Sequence, residues 1–402
     1  MKSKLVVAVT MLIGIVVAGC GSPTAATTHH HANRTKIATT SSEETKGSTS
    51  PSDQSSPLYS VDMITPNTGW AFVLKPRDEL ALVHTTDGGF TWTKVMPSSQ
   101  GTPLFYALDG QTAWLAMVQG AGQPTTVYVT HNGGRAWDHG PAVATHVGAG
   151  GFSTLYFENA KDGWWEEGSP GNPPQGPGQG PGTPASLFAT TDGGLTWHLV
   201  TSTLPSAGDF AFSSATTGFL ASFDSVHPLY VTNDGGATWN PVRSFPTGVQ
   251  IITAPVLNGA NALTWAPQTP LGGQSSATQT SLELIASTDG GSTWTTRSTS
   301  FMVPSVGDVE ILNALTAVAV TRDGEVHVTV DGGKTWSSRG PSPILASVLL
   351  RYSPQQIDFV SLSVGWMRLQ VGPSLTGVWY STKDGGATWT PENTLHFTGT
   401  GL

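Results

Sequence analysis

Cysteine is almost missing from this chain. Cys20 is the only one in 402 residues, which excludes a disulfide framework and any metal site built from several thiolates. Charge is scarce as well: Asp, Glu, Lys and Arg make up 11% of the chain, against roughly 25% in ordinary globular proteins. Helices laced with surface ion pairs are therefore not expected. The formal net charge of −9 removes electrostatic attraction to nucleic acid or anionic lipid from consideration. What replaces the charge is Ser and Thr together with 48 Gly and 14 Trp, a composition suited to strands and turns. Length alone suggests two or three domains, but a propeller or sandwich holds this much chain in one unit. The fold class expected is all-β.

Lys2 and Lys4 precede an uncharged run from Leu5 to Ala18 that ends at Val17-Ala18-Gly19-Cys20. Such a run is too short to span ~30 Å of hydrocarbon as a stable helix and fits the apolar core of a signal peptide. Its last four residues resemble a bacterial lipobox. The resemblance implies that residues 1–19 are removed and that Cys20 is lipidated as the mature N-terminus, anchoring the protein outside the cytoplasm. Residues 21–57 hold 16 Ser or Thr and few large apolar side chains, so residues 20–57 read as a lipidated Cys and a flexible tether. His29-His30-His31 within it reads as a solvated tract, and no metal site is assigned.

The strongest signal is an internal repeat. Seven segments match Thr85-Thr-Asp-Gly-Gly-Phe-Thr-Trp92, with starts spaced by 45, 60, 42, 55, 42 and 53 residues. Their acidic positions are Asp87, Asn132, Asp192, Asp234, Asp289, Asp331 and Asp384. Five residues later stand Trp92, Trp137, Trp197, Trp239, Trp294, Trp336 and Trp389. Asp-Gly-Gly between β-rich runs is a hairpin turn in which Gly supplies positive φ. The carboxylate and the preceding hydroxyl can accept the turn's own amides, so these carboxylates read as structural. Each Trp then offers an apolar plate to a neighbouring unit.

A second motif precedes each turn: Gly69-Trp70, Ala113-Trp114, Gly163-Trp164, Gly218-Phe219, Thr264-Trp265, Ala317-Val318 and Gly365-Trp366. A short apolar run precedes each of these in turn. Every unit therefore reads as four strands, and seven such units predict a seven-bladed β-propeller over residues 58–394. Residues 395–402 form a tail that can add an edge strand, and blades 1 and 7 are expected to meet without exchanging strands. The turns resemble the Asp-box, or bacterial neuraminidase repeat. With its Gly-Trp strands the chain is most similar to the photosystem II assembly/stability factor family. Asn132, Ala136 and Ala317-Val318 depart from the pattern.

Alternating strand direction places all seven turns on one face, with the loops joining second to third strands and the links between blades on the other. Spacing puts insertions on that other face at Gly168–Pro184 and about Pro267–Ser281. Beside the first lie Trp165, Glu166 and Glu167, and the link into blade 7 carries Arg351 and Tyr352. These five residues are the candidate partner-binding cluster, weighed against Trp165 packing in a blade with the charges solvated. The remaining histidines read as strand-surface residues.

Sialidase chemistry is the alternative function that the Asp-box resemblance implies. It needs an arginine cluster, a Tyr–Glu nucleophile pair and an acid/base Asp. The family's Arg-Ile-Pro motif is absent, and the nine Arg are scattered. No catalytic residue or cofactor is assigned. The reading is a monomeric, lipid-anchored, non-enzymatic module binding an envelope or extracellular protein or a glycan, with no nucleic-acid partner. The resemblance implies a role as an assembly factor.

Overall fold

The computed structural model describes residues 7–8, 58–74, 79–98, 100–119, 123–144, 152–168, 185–222, 227–246, 249, 253–268, 280–303, 309–321, 324–349, 353–370, 377–392 and 396–398. They build seven antiparallel sheets, each with four consecutive strands laid down in chain order. Blade 1 comprises Leu58–Met63, Gly69–Leu74, Leu80–Thr85 and Thr91–Lys94, and blade 2 Thr102–Ala107, Ala113–Val118, Thr126–Thr130 and Asp138–His139. Blade 3 comprises Phe152–Phe157, Gly163–Gly168, Ser186–Thr190 and His198–Thr201, and blade 4 Gly208–Phe212, Gly218–Ser222, Leu229–Thr232 and Asn240–Pro241. Blade 5 is Val256–Asn258, Asn261–Gln268, Thr280–Ser287 and Thr295–Val303. Blade 6 is Val309–Asn313, Thr316–Val320, Glu325–Thr329 and Ser337–Pro341. Blade 7 is Ser353–Phe359, Gly365–Gln370, Gly377–Thr382 and Thr390–Pro391. First strands touch in succession from blade 2 to blade 7, and blade 7 touches blade 1, so they surround the axis. The seven-bladed propeller expected from the repeat is the fold.

The Gly-Trp motif has a steric cause. Gly163 pairs across the ladder with Phe157, and Gly218 with Phe212. A Cβ on Gly163 would sit 2.4 Å from the Phe157 ring, so glycine lets the ring lie flat over the strand. That ring stacks on Trp114 of the preceding blade at 3.6 Å and 6°. Phe212 stacks on Trp164 in the same way, at 3.6 Å and 3°. The indole nitrogens then donate to the next blade's turn: Trp114 Nε1 to Gly193 O at 2.7 Å, Trp164 Nε1 to Gly235 O at 3.0 Å. Glycine, ring and indole act as one joint between blades, and each stacked pair contributes about 0.5–1.5 kcal/mol beyond its buried area.

The innermost strands have an open edge towards the axis, and unpaired backbone groups there need partners. Side chains of the preceding blade supply several. Thr154 Oγ1 donates to Gly208 O at 3.1 Å and the Tyr156 hydroxyl to Phe212 O at 2.9 Å. At the seam between last and first blades, Gln356 both accepts from and donates to the backbone of Val61, while Asp358 Oδ2 accepts Met63 N–H at 2.6 Å. In blade 2 the first strand is also paired, antiparallel, by Val7–Ala8.

The tail adds the edge strand that the sequence allowed. His396–Thr398 runs parallel to Thr91–Lys94 and adds a fifth strand to blade 1, so residues that follow blade 7 join the sheet of blade 1. The blade 6–7 link forms the one helix among the described residues, Pro343–Leu349, with Leu345 and Leu349 buried between those blades.

Candidate functional site

The seven turns repeat one geometry. At Asp289, Oδ1 accepts the Ser287 hydroxyl at 2.8 Å and Thr293 N–H at 2.8 Å, while Oδ2 accepts the Thr293 hydroxyl at 2.6 Å. Gly291 N–H donates back to Ser287 Oγ at 2.9 Å. In six of the seven turns the second glycine presses on the preceding blade, while Gly89 of blade 1 meets its own Trp92. Gly291, at φ +87°, would place a Cβ 2.3 Å from the Phe219 ring of blade 4. In every blade the first glycine donates its N–H to the loop between first and second strands, as Gly193 does to Lys161 O at 2.9 Å. Turns and first loops therefore share one face, as the parity of the strands requires.

These hydrogen bonds set the carboxylates' chemistry. The Thr238, Thr293 and Thr335 hydroxyls, with their amides, hold Asp234, Asp289 and Asp331 down at about 2. Asn132 keeps the bonds to Thr130 Oγ1 and Ala136 N–H but has no second hydroxyl to receive, which accounts for the paired departures at 132 and 136. Each box Trp packs towards the preceding blade: Trp92 joins Trp366 and Trp379 of blade 7, Trp294 joins Phe219 and Phe245, and Trp197 packs with Trp114. Trp389 packs with Val326 and Val328 of blade 6, Trp336 with Phe301 of blade 5, and Trp239 with Leu187 of blade 3. Trp137 Nε1 donates to Val95 O of blade 1 at 2.6 Å.

The three described members of the proposed surface cluster, Trp165, Glu166 and Glu167, are not on the surface. Trp165 is fully buried, stacked on Phe188 with ring centroids 5.3 Å apart and packed between blades 2 and 3. Glu166 is also fully buried and Glu167 nearly so, neither of them solvated. A propeller sheet is covered on both faces by its neighbours, so alternation along a second strand exchanges one interior for another. Arg351, Tyr352 and Cys20 lie outside the described residues, as do the tether and residues 169–184 and 269–279 of the two insertions. His84, expected at the surface, is buried against Trp70, with Nε2 3.0 Å from Gly110 O, and desolvation lowers its pKa.

Burial brings a different pair of carboxyl groups together. Gly208 N–H of blade 4 donates to Glu166 Oε2 at 3.4 Å, and Ala254 N–H of blade 5 donates to Asp209 Oδ2 at 2.9 Å. Glu166 Oε1 and Asp209 Oδ1 are closed off from solvent and receive no hydrogen bond. Burial pushes Glu166 well above the carboxylate range, with the neighbouring Asp209 adding to the shift. Burial also raises Asp209, to about 6. Asp209 lines a cavity of about 220 Å³ with Tyr106, Tyr156, Glu158, Phe210 and Ala254. Its walls are innermost strands of blades 2 to 5, and its rim includes exposed Ser213, Asn258 and Gly259 on the turn face. This is the mouth of the central channel.

Three of the five described arginines serve the scaffold, and Arg135 and Arg243 are exposed. Arg297 donates to Gly332 O of the next blade's turn, Arg339 lies 3.5 Å from Asp384 O in the equivalent arrangement, and Arg368 stands 5.6 Å over the Tyr59 ring. Among the described residues no group of three His, Cys, Asp or Glu is placed to hold a metal ion.

Fold and site together define a seven-bladed propeller with a carboxyl-lined channel mouth. No protein-family model matches the chain, and no curated protein matches it. Among solved structures it is similar to YCF48 bound to D1 peptide, at 15% identity and TM-score 0.49, covering 80% of this chain and 92% of that one. YCF48 from Cyanidioschyzon merolae matches at 15% identity and TM-score 0.46, covering 83% and 94%. The GH93 α-L-arabinofuranosidase of Fusarium graminearum with arabinobiose matches at 11% identity and TM-score 0.41, covering 82% and 92%. Likeness at these identities extends to the propeller fold alone.

Proposed function

We propose that the chain is a non-enzymatic, protein-binding propeller, held outside the cytoplasm by a lipid on Cys20, whose partner docks at the channel mouth on the turn face. The carrying observation is the distribution of unsatisfied chemistry. The turn carboxylates are saturated by their own loops, whereas Asp209 lines an open-mouthed cavity and is held by backbone amides alone. Aromatic walls beside a carboxyl group suit recognition of a partner's side chain. The lipobox at Val17–Cys20 supports the anchor, and residues 21–57 supply reach to a partner in or beside the membrane.

Pull-down with the full chain from a detergent-solubilised envelope tests this reading. One stoichiometric partner is expected, and it is lost on Tyr156→Ala together with Asp209→Asn. Capture that is indifferent to both changes removes the reading. Labelled fatty acid should enter the wild type and not Cys20→Ser.

A glycosidase reading has one observation behind it, that Asp209 and Glu158 line the same cavity. Against a sialidase, Arg297, Arg339 and Arg368 are engaged in the scaffold. Hydrolysis of a fluorogenic sialoside or arabinoside that disappears with Asp209→Asn would establish the enzymatic alternative.

A further inference from the structure

The seven innermost strands carry Asp62, Asp209, Glu310 and Asp358, and none of the seven contains Lys or Arg. Glu158 follows directly on the strand of blade 3, and Glu166 lies behind Asp209 on a second strand. The channel wall is thus acidic, while Lys94, Lys161, Lys334 and Lys383 stand on outer strands or turns. Asp209 is held by backbone amides alone, those of Ala254 and Phe210, and a buried carboxylate without a cation is a costly arrangement. Around it stand Tyr106, Tyr156 and Phe210, whose rings favour a cation over a neutral group. The Tyr156 hydroxyl is occupied by Phe212 O, so that wall offers its ring and not a competing donor.

We propose that the cavity at the channel mouth is a subsite for one basic side chain, a lysine of the bound partner, whose ammonium pairs with Asp209 against the tyrosine walls. The proposal rests on the protein-binding reading above and gives it a chemical specificity. About 220 Å³ has room for several waters or one extended aliphatic chain, at ~30 Å³ per water. The groups facing Asp209 are Glu166, Glu158, Tyr106 and Tyr156, with no cation among them. Burial has already lifted Asp209 to about 6. An arriving ammonium lowers that value again, so binding releases protons below neutrality and weakens as the pH falls from 7 to 5.

The test titrates the full chain, in detergent, with the peptide Gly-Ser-Lys-Ser-Gly and with the same peptide bearing Nε-acetyl-lysine, followed by saturation-transfer NMR. Acetylation is expected to weaken binding at least tenfold, as is Asp209→Asn, while Glu283→Gln on the outer part of blade 5 removes equal charge without effect. Equal binding of the two peptides, or an unchanged affinity in Asp209→Asn, overturns the proposal. If Asp209→Asn fails to fold, the wild type decides the matter. Tenfold weaker binding at pH 5 than at pH 7 supports the subsite, and a flat profile overturns it. Spermidine binding tenfold tighter than the lysine peptide would reassign the cavity to a free polyamine. A partner captured from the envelope while the lysine peptide fails leaves the binding module standing and removes only the subsite. A bound peptide with no captured partner does the reverse.

Discussion

The turn face and the channel wall use the same functional group in opposite ways. On the turn face, Asp234, Asp289 and Asp331 stand in water, and each collects two hydroxyls and an amide, so ionisation is favoured and their values sit at about 2. At the channel wall, Glu166 and Asp209 are shielded from water and receive backbone amides only, so ionisation is opposed. Donors outweigh burial in the first case and burial outweighs donors in the second. Repetition marks the carboxylates that hold the ring, and the ones left with capacity for a partner are those that occur once.

The turn side of this contrast breaks most sharply at glycine. Gly291→Ala forces both a left-handed φ and a Cβ 2.3 Å from Phe219, and is expected to lose about 3 kcal/mol in denaturant melts. Its neighbour Gly290→Ala meets nothing within 4 Å and should lose only about 1 kcal/mol. Equal losses would mean that contact with the preceding blade contributes nothing. On the channel side, Glu166→Ala leaves buried Gly208 N–H without its acceptor, for an expected loss of about 1–3 kcal/mol at pH 5. Glu166→Gln keeps an acceptor and removes the charge, so it should match the wild type at pH 5 and exceed it at pH 9.

The pH profile sharpens the contrast further. Glu166 and Asp209 have raised values in the folded state, so their contribution is complete below the unfolded value. For Asp209 it is lost as the pH rises from about 3.8 to about 6. The turn carboxylates have depressed values, so theirs is complete above 3.8 and lost as the pH falls towards about 2. Thermal melts should therefore peak near pH 4 to 5, and a peak above 7 would contradict the burial of the wall pair. The smallest effect is reserved for Asp234→Asn. Asn132 already serves in the equivalent turn of blade 2, so this variant should fold normally and lose only its share of the acid limb.

Much of the scaffold could be read from the residues alone. In all seven units the third strand ends on the hydroxyl residue that opens the turn, Thr85 through Thr382, because that hydroxyl closes the loop locally. Strand parity alone was enough to gather the turns on one face. The channel site was hidden for a physical reason. Trp165-Glu166-Glu167 looks amphipathic, yet every residue of Gly163–Gly168 is buried, since both faces of the sheet are covered. Asp209 sits in an innermost strand of otherwise apolar and small residues, and it comes beside Glu166 because Gly208, 42 residues further along the chain than Glu166, donates to that carboxyl group. The usable signal was an acidic residue inside an apolar first strand, at Asp62, Asp209, Glu310 and Asp358.

The parallel strand His396–Thr398 on the rim of blade 1 has a consequence for biogenesis. Blade 1 is begun by the first propeller residues to leave the ribosome and completed by residues made more than 300 positions later. During synthesis, blades 2 to 6 can form while their neighbour waits unsealed, its flank at Trp92 exposed until Trp366 and Trp379 arrive. The final latch then closes the outer edge of blade 1, and a chain cut short before blade 7 leaves that flank bare to proteases.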